Sequence, residues 1–128
     1  MDEVDGFDLH AAWVRRAQTD LKAFIEALAV RLEAALPGHV TVERKRDSLL
    51  GAHKHVSRIS ISTGGGRYGL SAQGGEVEVM RQHEVRGIVV RTETMTLSDW
   101  LVALQNDLRN LSGTMTDASR VLHEFLMS

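Results

Sequence analysis

From Leu9 to Leu36 the larger apolar residues fall at Leu9, Trp13, Leu21, Phe24, Ile25, Leu28, Leu32 and Leu36, with Ala17, Ala29 and Ala35 among them. Steps of three and four place these side chains on one stripe of a helix. Arg15, Arg16, Asp20, Lys22, Glu26, Arg31 and Glu33 take the remaining surface. Asp8 is placed to cap the first turn, and Pro37-Gly38 supplies the stop. The pattern predicts one long helix over 9–36.

The period then changes to two. Val40 and Val42, Ile59 and Ile61, Tyr68, Leu70 and Ala72, and Val77 and Val79 alternate with polar or small residues, and Ile88-Val89-Val90 forms a short run. Gly64-Gly65-Gly66 and Gly74-Gly75 punctuate these segments as tight hairpins require. A third, glycine-free turn is expected at Gln82–Glu84. Such short connections favour antiparallel neighbours, because a parallel pair needs a crossover of about a dozen residues.

From Thr96 the helical period returns. Thr96-Leu97-Ser98-Asp99 reads as a capping box with a short acid, followed by an apolar face of Leu97, Trp100, Leu101, Leu104, Leu108 and Leu111. Ser112-Gly113 interrupts it, Thr114-Met115-Thr116-Asp117 can cap a further helix, and Val121, Leu122, Phe125 and Leu126 line that helix. The predicted class is α+β: a long N-terminal helix, an antiparallel β-meander of about five strands, and one or two C-terminal helices packed on one face of the sheet. Residues 1–8 are expected to be a flexible acidic N-terminus and 9–128 a single domain. If Ile59, Ile61, Tyr68, Leu70, Val77 and Val79 face the helices, the opposite face shows Thr41, Glu43, Lys45, Arg58, Ser60, Ser62, Arg67, Ser71, Glu76, Glu78, Arg91 and Glu93, a mixed-sign surface suited to water.

This helix–meander–helix order is similar in outline to frataxin-like folds, to small secretion-chaperone folds and to nucleoid-associated helix–sheet–helix dimers. The resemblance concerns architecture, which does not assign function. An iron-binding frataxin ridge needs clustered acids on the first helix, whereas Asp20, Glu26 and Glu33 are spread among basic residues.

Composition narrows the chemistry. The 128 residues hold 15 Lys+Arg against 17 Asp+Glu and no cysteine, which removes disulfides, thiol nucleophiles and cysteine metal sites. The acidic start is unlike a signal peptide, and no stretch reaches the roughly 18–20 apolar residues of a bilayer span. A cytoplasmic chain without membrane insertion is expected. Gly64-Gly65-Gly66-Arg67-Tyr68-Gly69 fits G-x-G-x-x-G, but a strand follows where a dinucleotide site needs a helix, so it reads as a turn. His53 and His55 could share a strand face as metal ligands, with His83 as a third, but no closed ligand set accompanies them, and no metal or cofactor is expected.

Charge is unevenly placed. Residues 40–95 carry nine basic and six acidic side chains, while both ends are net acidic. Arg44, Lys45, Arg46, Lys54 and Arg58 form the densest positive segment, a candidate site for nucleic acid or another anionic ligand through residues 44–58. No nucleophile elbow, zinc-protease helix or deaminase set is present. The expected function is a non-enzymatic protein-interaction or adaptor domain. Its partner is another protein or a second copy, met by the apolar residues Leu104, Leu108, Leu111, Val121, Leu122, Phe125 and Leu126, whose alternative role is intramolecular core. Anion binding by the 44–58 segment is the second expectation.

Overall fold

A computed structural model describes residues 20–46, 54–73, 75–110 and 114–127. Helix α1 (Leu21–Ala35) begins at Asp20, which has extended backbone and accepts the Ala23 N–H at 3.0 Å. That is N-cap chemistry: a short carboxylate satisfies a first-turn donor that has no partner within the helix. The single helix expected over 9–36 is therefore corrected to a helix that starts after Asp20. Asp8 and the rest of 1–19 lie outside the described residues. At the other end the Leu36 N–H bonds to the Leu32 carbonyl, and Gly38, at φ +83°, turns the chain into the sheet.

Five strands follow, β1 (Val40–Arg46), β2 (Lys54–Thr63), β3 (Gly66–Gln73), β4 (Glu76–Val85) and β5 (Ile88–Met95). They pair antiparallel in sequence order, so among the described residues β1 and β5 are the two edges. Thr63 opposes Gly66 and Val85 opposes Ile88, which makes both connections two-residue hairpins. In the second, Arg86 (φ 54°) and Gly87 (φ 81°) both take the left-handed conformation that a type I′ turn demands. The turn expected at Gln82–Glu84 is thus corrected to Arg86-Gly87, and 82–84 continue β4.

Two register shifts bend the ladder. One lies between Glu43 and Arg44 on β1, opposite Ser57; the other lies between His83 and Glu84 on β4, opposite Val90. Below the second, Arg91 opposes His83, Glu93 opposes Arg81 and Met95 opposes buried Val79. Directly opposed residues share a face, so Arg91 and Glu93 stand on the helix side and not on the open face where simple alternation had put them.

Helices α2 (Leu97–Asn110) and α3 (Thr114–Met127) complete the chain. The Thr96 hydroxyl accepts the Asp99 N–H at 3.1 Å, one half of the expected capping box. Helix α1 lies over β1 and β2, α2 lies over β4, and α3 packs mainly against α1 and α2. The core joins Phe24, Ile25, Leu28, Leu32 and Leu36 to Ile59, Ile61, Tyr68 and Leu70 and to Trp100, Leu101 and Leu104, all buried. Between α2 and α3 the buried Gln105 amide donates to the Ser119 carbonyl (2.8 Å) and hydroxyl (3.0 Å), and that hydroxyl donates to the Gln105 carbonyl. A polar pair inside an apolar contact fixes how the two helices register, since any slip would bury unpaired groups.

Candidate functional site

The C-terminal apolar residues are spent on the fold. Leu104, Leu108, Leu122, Phe125 and Leu126 are buried in the chain's own core, with the Phe125 ring tilted by 33° against Phe24 at 5.8 Å between centroids. Val121 is half-buried, and Leu111 lies outside the described residues. Five of the seven thus take the intramolecular role, and the expectation that they present apolar surface to a partner is corrected. The reason is that α3 has two helices to cover it, so the surplus of leucines closes a three-helix layer.

The basic segment does not converge either. Arg44 is on the helix side, where its guanidinium grips Glu33 of α1 with contacts of 2.7 and 3.3 Å. That bond holds the Glu33 carboxyl below its ordinary range. Arg58 leans on Glu43 at 3.6 Å on the opposite face. Lys45 and Arg58 share the open face, while Arg46 and Lys54 oppose each other on the other side, so the five cations split between two surfaces. His53 lies outside the described residues. His55 lines a cavity of about 200 Å³ with Lys22, Glu26 and Glu76 near the start of α1. His83 is at the far end of the sheet, opposite Gly66. Among the described residues no group of three His, Cys, Asp or Glu side chains is placed to hold a metal ion.

Sequence spacing missed a polar cluster beneath α2. The Tyr68 hydroxyl donates to Asp107, whose same oxygen takes the Arg81 guanidinium at 2.9 Å, and Arg81 also lies 5.4 Å from the Tyr68 ring centroid. Burial first, then the Asp107 carboxylate, pushes the Tyr68 phenol far above its ordinary range, so it remains a donor. These residues border a cavity of about 220 Å³ together with Thr63, Gly65, Gly66 and Asn110. Next along β4, His83 Nε2 is shielded from water 3.4 Å from Glu93, without the geometry of a hydrogen bond. Glu93 is also engaged by Arg91. Asp107 is 39 residues from Tyr68 and 26 from Arg81, so no local motif announces this cluster.

Desolvation, then the charges of Arg81 and Arg91, hold the His83 imidazole below its ordinary value, with Asp107 opposing. The folded chain therefore favours neutral His83. As pH falls below about 6.5, the unfolded chain takes up a proton that the folded chain resists, so stability falls through that window. Thermal melts from pH 8 to pH 5 are expected to slope less for His83→Gln than for the parent; parallel slopes would show that His83 is not held neutral.

The surface that stands out is the β5 edge. Val85, Ile88, Val89 and Val90 are 57%, 68%, 45% and 61% exposed; they flank the β4–β5 hairpin, with Val85 opposing Ile88 on one face and Val89 opposing Glu84 on the other. Met80, further along β4 and opposite Thr94, is 41% exposed. Large apolar residues are rarely left together in water unless something covers them. The opposite edge differs: the outer half of β1 is Glu43-Arg44-Lys45-Arg46, a charged strand of the kind that resists pairing. From Ile88 to Val90 β5 has neither charge nor proline, and its sequence alone reads as a short strand. The signal was available in the meander itself, whose last strand must be an edge.

Among the described residues no helix is long and apolar enough to cross a membrane. Neither a protein-family model, nor a curated protein, nor a solved structure matches the chain.

Proposed function

We propose that this chain is a protein-interaction domain that acts by binding and takes an extended polypeptide onto its β5 edge. The observation that carries the reading is the exposed run Ile88, Val89 and Val90 on β5, which among the described residues pairs on one side alone, with exposed Val85 across the hairpin. A strand added there would satisfy the outward N–H and C=O groups of β5 while its side chains cover the valines and isoleucine. Covering each such side chain, already about half buried, stabilises an association by on the order of 1 kcal/mol. Lost translational and rotational freedom costs about 4–15 kcal/mol, so apolar contact must act together with the ladder hydrogen bonds of the edge.

The test compares two surface variants of the intact protein recovered from its own cells. Val90→Lys places a charge on the apolar edge, and Lys45→Glu alters the other edge. Native mass measurement is expected to find a bound polypeptide with the parent and with Lys45→Glu, and to lose it with Val90→Lys. Equal recovery with both variants, or a lone chain throughout, would overturn the reading.

A further inference from the structure

The polypeptide that β5 takes, if the reading above holds, is identified by the strand's own sequence. We infer that the partner is a second copy of this chain, paired antiparallel β5 to β5 about a two-fold axis at Thr92.

An antiparallel pair of identical strands is related by a two-fold axis perpendicular to the sheet, and the pleat requires opposed residues to lie on the same face. The axis must then pass through a residue. Below the bulge opposite Glu84, the regular stretch of β5 is Arg91-Thr92-Glu93-Thr94-Met95. Centring on Arg91 sets two arginines against each other, and centring on Glu93 sets two glutamates against each other. Centring on Thr92 opposes Arg91 of each copy to Glu93 of the other, twice by symmetry. Centring on Thr94 gives no charge pairing. Thr92 is the centre that makes the strand self-complementary.

The same register brings Val90 toward Met80 on the open face. Val90 of one copy meets Thr94 of the other, and Met80, exposed on the open face, is the neighbour of Thr94 across β4 and β5. Val89 lies beyond the bulge, opposite Glu84 on the open face, and is outside the regular pairing. On the helix side Arg91 already pairs with Glu93 of its own chain and is itself exposed, so the second copy's Glu93 and Arg91 would extend that pair into a four-charge network across the two-fold axis. A head-to-tail alternative, β5 on the β1 edge of the next copy, would set Ile88, Val89 and Val90 against a charged strand and would not close on itself.

The chain has no cysteine, so a single introduced thiol reports position cleanly. The experiment measures mass by light scattering across the micromolar range and cross-links single-cysteine variants with a short thiol-bridging reagent. The expected result is a reversible dimer in which Thr92→Cys cross-links and Thr41→Cys, on β1, does not. Arg91→Glu is expected to weaken the dimer about tenfold by putting like charges in opposition. A dimer in which Thr92→Cys fails to cross-link, or Arg91→Glu leaves the affinity unchanged, overturns the two-fold pairing. A monomer at every concentration also overturns it; loss of a different bound protein on Val90→Lys would then leave β5 as an interaction edge, whereas no β5-dependent association would overturn both.

Discussion

Trp100→Ala is expected to lower the stability of the domain by about 3–5 kcal/mol, the range for removing a large buried ring. Trp100 sits in the first turn of α2 and is fully buried, the largest such side chain in the described core. Its indole N–H donates to the Met80 carbonyl at 3.0 Å, and its ring meets Tyr68 nearly edge-on at 5.9 Å and 73°. One residue therefore seats α2 on β4, fills the core and closes a hydrogen bond. Truncation opens a cavity that packed neighbours cannot fill and leaves the carbonyl short of a partner. Domains of this size typically hold about 5–15 kcal/mol in all, so a measurable unfolded population is expected. Trp100→Phe keeps much of the ring and should lose clearly less. Urea unfolding followed by circular dichroism measures both, and an alanine variant within about 1 kcal/mol of the parent would mean that α2 is not anchored through this ring.

The second large effect comes from a residue with no side chain. At Gly66 a Cβ would stand 2.2 Å from the Gln82 carbonyl oxygen and 3.3 Å from its carbon. Both are backbone atoms of β4, which is held between β3 and β5 and has nowhere to retreat. Gly66→Ala must shift one strand of the hairpin and is expected to cost about 3 kcal/mol, at the upper end of overpacking losses. Gly65 is the control: nothing lies within 4 Å of its Cβ position. Gly65→Ala should stay within about 0.5 kcal/mol of the parent. Equal losses at the two positions would mean that the close approach of Gly66 to β4 is not real. The contrast also explains the glycine run: what reads as a phosphate loop on paper is required by strand contact.

Periodicity made most of this architecture legible. Residues that face a core must recur at the spacing of their element, and Phe24, Ile25, Leu28 and Leu32 on α1 or Ile59 and Ile61 on β2 are buried as their spacing predicts. What escaped lies where periodicity carries no information. The helix start at Asp20 looks like one more polar residue on an outer face, because its capping role is a matter of backbone conformation. The bulge opposite Glu84 inserts Val90 without changing composition, yet it moves Arg91 and Glu93 to the other face. The Arg86-Gly87 turn was readable from its glycine but was masked by the apolar run that follows. Leu104, Leu108, Leu122, Phe125 and Leu126 show the limit for function: an apolar helical face requires a cover, and the sequence does not say that the cover is the same chain. The Ile88–Val90 run poses the inverse case, with strand-like residues whose exposure follows from being last in the sheet.

Amide hydrogen exchange, resolved by residue and recorded at low and at high protein concentration, tests the pairing of β5 most directly. The account predicts that the outward amides between Arg91 and Met95 exchange fast when the protein is dilute and slow markedly as concentration rises, while amides on the β1 edge keep one rate throughout. Exchange on β5 that is the same at both concentrations would contradict it.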